Sequence, residues 1–313
     1  MAQVTQLRNL GASGIRTPAL GVGTNRWGAS GKDKNQIFQA FQAALDAGTN
    51  LIDTAELYTG GKSERLIGEF THRDTRPVII FTKFAPLLRL SAHQLLTALD
   101  ASLDRLGEKS VDLYLVHFPY TVLSIASLMD AMAQAMRSGK IRAVGVSNYS
   151  AKQMREAAAR LARHNIPLAA NEVHYSLLHR QPETNGVLDA CRELNVALIA
   201  YFPLGGGLLK ARQGQAGQPK NWMTRIMEKR ILGKGTPEQL KILEETLETV
   251  ARAHGGTVSQ VALNWLLQRD DRVIAIPGAT SARHARENAE TLTWNLTPEE
   301  FANIDQASES WRT

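Results

Sequence analysis

Four titratable residues of different chemistry sit at or just after apolar runs: Asp53 in NLIDTA, Tyr58 five residues later, Lys83 in VIIFTKF and His117 at the end of VDLYLVH. Together they make an acid–base set. A phenol beside an ammonium can hand a proton to a substrate oxygen and take it back, because the positive charge favours the phenolate and lowers the phenol from its ordinary value of about 10. In that scheme Tyr58 is the proton donor and Lys83 the charge that tunes it. Asp53 holds Lys83 in place and charged, and His117 orients the oxygen by hydrogen bonding. A lone Asp, Lys or His at a strand end is more often a cap, a surface charge or a structural residue. The four in this order carry the argument.

The elements that must position them are legible as alternation. Eight short β-like runs recur, at 19–24, 50–55, 78–84, 111–117, 141–148, 168–175, 197–203 and 273–279. Between them apolar residues fall at helical spacing, as in Ile37, Ala40, Phe41, Ala44 and Leu45, or Leu95, Leu96, Leu99, Leu103 and Leu106. Ser91, Ser150 and the Thr236-Pro237-Glu238 run are the helix-start signals. Strands apolar enough to be buried on both faces, each followed by a helix, predict a (β/α)8 TIM barrel whose site lies at the C-terminal strand ends. The competing open doubly wound sheet wants G-x-G-x-x-G after its first strand, and Gly21, Gly23 and Gly28 do not fit that spacing. Residues 4–20, with Gly11, Gly14 and Pro18, predict an N-terminal β-hairpin under the barrel. After the seventh strand, residues 204–236 are glycine-rich and basic, too long for an ordinary connection and of the kind that is either functional or disordered.

The 313 residues are read as one barrel domain, 1–313, since such barrels reach this size undivided. With 43% hydrophobic and 21% charged residues the chain has material for a sizeable core. The net charge of +6 comes from basic residues interspersed with acidic ones, and no basic-plus-aromatic motif stands out, so nucleic acid is not an expected partner. No apolar run approaches the roughly 20 residues of a membrane span, and the N-terminus lacks a secretory pattern. The lone Cys191 offers neither a disulfide nor a metal set, and with these features a cytoplasmic setting is expected.

The chain resembles the aldo-keto reductase superfamily from about residue 7 to about residue 308, through IDTAELYTGGKSERLIGE, FTKF, VDLYLVHFP, GVSNY, NEVHYSLLHR, YFPLGGGLL, VALNWLLQ and IPGATSARHARENA. The resemblance implies a reversible NAD(P)H-dependent reduction of aldehydes or ketones, which needs hydride at carbon and a proton at oxygen, with Asp53, Tyr58, Lys83 and His117 catalytic. It implies that Ser147 and Asn148 bind the nicotinamide carboxamide and that Tyr201 stacks on the ring. Phe202, Pro203, Leu204 and the glycines 205 to 207 (Gly205, Gly206, Gly207) fall on the segment that approaches the pyrophosphate, and Gly23, Thr24, Asn25 and Asp53 on another cofactor segment. Gly278, Thr280, His284, Glu287 and Asn288 match the stretch that grips the adenosine end. Two positions depart from many relatives. Gly278 and His284 stand where some branches carry the cations that hold the 2′-phosphate, leaving Arg283 or Arg286 for that role, so NADPH is expected with NADH admissible. Glu172 stands in place of a glutamine that contacts the carboxamide, and an ionised carboxylate there would favour the oxidised, positively charged ring.

The expected pocket walls are Trp27, Tyr58, Phe84, His117 and Phe118, with Tyr120 and Trp222 further out, which suits a small apolar carbonyl substrate. About five residues follow the last predicted helix, so a fairly open site is expected. Oligomeric state is not readable from these patterns. The alternative of another class is a cofactor-sensing, non-catalytic partner-binding protein of the same fold, and the filled catalytic positions favour the enzyme. A metal-dependent hydrolase would need clustered ligands on the rim, where His117 is the one good candidate, so no metal is expected.

Overall fold

Side chains alternate across each strand, so a strand buried on both faces feeds two separate cores. The computed structural model describes residues 6–207, 209 and 235–312. Its parallel strands are β3 (Val22–Gly23), β4 (Leu51–Asp53), β5 (Ile79–Phe84), β6 (Leu113–Val116), β7 (Val144–Ser147), β8 (Leu168–His174), β9 (Ala197–Tyr201) and β10 (Val273–Ala275), following β1 (Leu7–Asn9) and β2 (Arg16–Pro18). The eight neighbour one another in sequence order, and the bridges Leu20↔Ala275 and Gly23↔Gly278 join the last to the first. Leu51, Phe81, Leu113, Leu115, Ala197, Ile199 and Ile274 fill the interior, while Ile52, Ile80, Tyr114, Val116, Val144 and Leu198 face the surrounding helices. This is the expected (β/α)8 barrel.

Two of the three helix-start signals hold as read. Ser150 and Thr236 each accept a hydrogen bond from the backbone three residues on, and Gln153 and Gln239 return it, making reciprocal caps. Ser91 sits earlier than the helix it was expected to start, which runs Gln94–Leu106, because the Gln94 side chain folds back to accept from the Leu90 and Ser91 backbones at 3.0 and 3.2 Å. Most of the 204–236 segment, Trp222 included, lies outside the described residues.

The hairpin of β1 and β2 closes the end of the barrel where the strands begin. Leu10 and Ile15 from its turn join the interior cluster, and Arg8 donates to Leu267 O at 2.9 Å. Gly11 lies at φ +54°, and a Cβ there would stand 2.5 Å from Ala169 O and 2.7 Å from Asn195 O, at the entrances of β8 and β9. Gly14, at φ +79°, has nothing within 4 Å of an added Cβ. Both replacements by alanine carry left-handed strain of about 1–2 kcal/mol, but Gly11→Ala must also push the hairpin off the barrel floor, for a total of roughly 2–4 kcal/mol. Thermal melts of Gly11→Ala and Gly14→Ala side by side check this, and equal losses would refute the close packing of the hairpin.

Candidate active site

Strand phase decides which side chains reach the barrel mouth. The residue two positions beyond an interior side chain points the same way, so Leu51 leads to Asp53, Phe81 to Lys83, Leu115 to His117, Ala170 to Glu172 and Ile199 to Tyr201. A cavity of about 260 Å³ opens at these strand ends, lined by Gly23, Thr24, Asn25, Asp53, Tyr58, His117, Phe118, Ser147, Asn148, Glu172, Tyr201, Phe202, Ile276 and Gly278.

Its polar centre is the fully buried ammonium of Lys83. Nζ donates to Asp53 Oδ1 at 2.6 Å and to Thr54 O at 2.9 Å, stands 3.3 Å from Glu172 Oε2, and reaches Tyr58 Oη at 3.4 Å. Burial works against this charge, but Asp53 and Glu172 outweigh it and hold Lys83 protonated above its usual range. Burial raises Asp53 above the ordinary carboxylate value, with Lys83 pulling it back. In Glu172, burial and then the Asp53 charge push the carboxyl up to about 8.

Tyr58 differs from the sequence expectation. Burial lifts its phenol above the ordinary value, Lys83 pulls it down, and Asp53 and Glu172 raise it again. The ammonium cannot dominate because its charge is already answered by Asp53 at closer range. His117 stacks on Phe118 at 4.2 Å and meets the Tyr58 ring edge-on at 5.9 Å. Its Nδ1 is buried without a partner, and burial, then the Lys83 charge, pushes the imidazole down to about 3, so it is neutral.

Ser147 Oγ donates to Glu172 O at 2.9 Å. Asn148 Nδ2 donates to Ser147 Oγ at 2.9 Å and to His117 O at 3.2 Å, and Asn148 Oδ1 accepts from Tyr201 Oη at 2.9 Å. Asn148 and Phe202 both lie in the left-handed region, at φ +63° and +49°, a conformation that costs a bulky residue energy and clusters where side chains must be aimed. The remaining expected residues do not line this cavity. Pro203 and Leu204 are buried beside the Gly205–Gly207 turn, where a Cβ on Gly205 would meet Leu178 Cδ1 at 2.9 Å. Thr280, His284, Glu287 and Asn288 lie at or on the helix Ala282–Glu290, capped by Ser281.

Trp27 and Phe84 are corrected from pocket wall to core. Phe84 is one residue past Lys83 and so takes the opposite phase, facing the helices. Trp27 packs edge-on against Phe41 and Phe70 and donates Nε1 to Ala279 O at 2.8 Å. Tyr120 is 74% exposed and off the cavity wall. Sequence reading passed over Ile276, whose only signal is its place one residue past β10, and over the stack of His174 on Tyr201 at 5.5 Å and on His179 at 4.0 Å. The H-x-x-x-x-H spacing in NEVHYSLLHR was the available signal for the latter.

The sequence profile described as the aldo/keto reductase family matches residues 19–309. The chain belongs to the aldo/keto reductase family. It is similar to the chloroplastic pyridoxal reductase of Arabidopsis thaliana, at 34% identity over 90% of this chain and 79% of the relative. Its fold is similar to a crystal structure of a thermostable aldo-keto reductase in complex with the inhibitor epalrestat, at TM-score 0.80 and 32% identity, covering 96% of this chain and 99% of that one. A Klebsiella pneumoniae aldo-keto reductase solved with NADPH matches at TM-score 0.75 and 28% identity, over 98% of this chain and 95% of its own. An aldo-keto reductase is an oxidoreductase, and that role holds for this chain. No helix among the described residues is long and apolar enough to cross a membrane.

Glu172 gives this aldo-keto reductase a pH-dependent stability whose sign is fixed. The folded carboxyl keeps its proton to about pH 8, whereas the unfolded one loses it near its ordinary value of 4.5. Folding therefore takes up a proton in that window, so Glu172's contribution is fully present below it and is lost as pH rises through it. The native thermal midpoint is expected to fall more steeply between about pH 5 and pH 9 than that of Glu172→Gln. Parallel melting curves across that range would contradict the burial-raised carboxyl.

Proposed function

We propose that the protein reduces aldehydes or ketones to alcohols with NADPH, using Tyr58 as the acid, and catalyses the reverse oxidation through the same groups. The observation that carries this reading is the approach of Lys83 Nζ to Tyr58 Oη at 3.4 Å with the ammonium pinned by Asp53 at 2.6 Å. Bound cofactor supplies the hydride. The residues fit it: Tyr201 lines the cavity with His174 covering its ring from behind, and Ser147 and Asn148 stand beside it with polar side chains that suit a carboxamide. A Cβ on Gly23 would meet Ile276 O at 2.8 Å, so the wall there is kept to bare backbone. Support for the NADPH form comes from the Klebsiella relative and from Arg283 and Arg286, both exposed on the helix Ala282–Glu290.

The phenol that burial keeps protonated is the form needed for reduction: Tyr58 holds a proton at neutral pH and gives it to the carbonyl oxygen as hydride reaches the carbon. Lys83 then stabilises the phenolate that remains, a charge that exists only late in the reaction. His117, neutral, can donate one N–H to the same oxygen without competing for its proton. Nothing favours the non-catalytic, partner-binding alternative, and all four catalytic positions are filled.

Oxidation of NADPH and NADH with a panel of aldehydes and ketones tests the reading. The panel includes pyridoxal, because the Arabidopsis relative is named for it. Native protein should turn over faster with NADPH. Tyr58→Phe should bind cofactor normally yet lose about 10²–10⁴-fold in rate, the usual worth of a positioned acid. A Phe variant as active as the native enzyme would remove Tyr58 from the chemistry, and tight cofactor binding with no turnover of any carbonyl would restore the alternative.

A further inference from the structure

Glu172 is buried at the cavity wall, where its carboxyl neighbours that of Asp53 and its Oε2 makes no well-formed hydrogen bond among the described residues. The cation nearest to it, Lys83, stands 3.3 Å away and is already held by Asp53 and Thr54 O. Among the described residues, the surroundings contain one cation for two carboxyl groups. From β4 and the turn after it come Asp53 and the Tyr58 phenol, from β5 Lys83, and from β9 the Tyr201 phenol. Strand β7 offers Ser147 and Asn148, which donate to the Glu172 backbone oxygen and leave the carboxyl alone. The two imidazoles close by, His117 on the cavity wall and His174 two residues along β8, are neutral. Charge balances only while one of the two carboxyls keeps its proton.

We propose that Glu172 links the redox state of the cofactor to one proton: its carboxyl stays protonated beside the uncharged reduced ring and releases that proton to solvent when the positively charged oxidised ring occupies the cavity. This rests on the cofactor assignment made under the proposed function. The release is an ordinary ionisation, carboxyl to carboxylate plus a solvated proton, with no other reactant. With reduced cofactor the set of Lys83, Asp53 and neutral Glu172 is balanced. With the oxidised ring, a second cation meets a second anion and balance returns. A carboxyl held up to about 8 by burial and Asp53 is poised for such a switch near neutral pH. A glutamine at the same place could not respond, since it carries no titrating proton.

The test is equilibrium binding of NADP⁺ and NADPH to the native protein and to Glu172→Gln from about pH 6 to pH 9. The 2′-phosphate is common to both forms and cancels in the ratio of their dissociation constants. For the native protein the preference for NADP⁺ over NADPH should rise up to about tenfold per pH unit and level off near pH 8, whereas in Glu172→Gln it should stay within about twofold throughout. As a check that needs no variant, calorimetry of NADP⁺ binding in buffers of different ionisation enthalpy at about pH 7 should show release of close to one proton, with close to none for NADPH. Equal pH dependence of the ratio in native and variant protein, or no proton release, overturns the linkage while leaving the reductase reading intact. Failure of either form to bind the native protein at all overturns the cofactor assignment and the linkage with it.

Discussion

The mouth of this barrel is organised around the burial of one ammonium group. A lysine without exposure is costly to charge unless carboxylates meet it, and a carboxylate placed there is equally costly without the lysine. Lys83 and Asp53 therefore specify each other across adjacent strands, at 2.6 Å, and the Thr54 carbonyl adds a further acceptor. Everything chemical in the cavity is set by its relation to that pair. Tyr58 stands near enough to feel the charge but far enough that burial governs its proton, while Glu172 must share with Asp53 the one ammonium among the described residues that both approach.

Around that centre the wall is stiffened by contacts that carry no net charge. Asn148 ties three neighbours together from a left-handed backbone, joining the ends of β6, β7 and β9. Tyr201 is held at its hydroxyl by Asn148 and at its ring by His174, itself stacked on His179. Burial pushes His174 down to about 3, so the stack consists of neutral rings and adds shape without disturbing the charges beside it. Beside β3, the Ser63 hydroxyl lies 2.7 Å from that of Thr24 and 2.9 Å from that of Thr54, so three buried oxygens that would otherwise be orphaned are satisfied together.

The sequence disclosed the barrel, and the four residues Asp53, Tyr58, Lys83 and His117 that gather at its mouth, because both depend on periodicity and residue type. Short runs apolar on both faces, helical spacing between them and polar residues at strand ends are all properties of order along the chain. What it disclosed poorly depends on phase and depth. Phe84 and Lys83 are adjacent in a run that is apolar on both faces, so nothing in the composition says which looks inward, and it is the aromatic that faces the helices. Trp27 follows a strand of two residues, too short to set a phase. The Tyr58 phenol was expected low because a neighbouring cation can be read from FTKF, whereas the depth at which the phenol sits cannot. His174 and His179 share no element, and only the turn between them brings their rings face to face.

The hairpin that fills the lower end of the barrel gives the molecule a polarity useful at the bench. Leu10 and Ile15 seal the face where the strands begin, and the cavity opens at the other face. The strand Leu7–Asn9 lies on that sealed face with Leu7 exposed, so an antibody or solid support that grips the hairpin from outside leaves the opposite mouth open to the medium. An anchor grafted into the turns that follow the strands would do the opposite and stand in the path of anything entering.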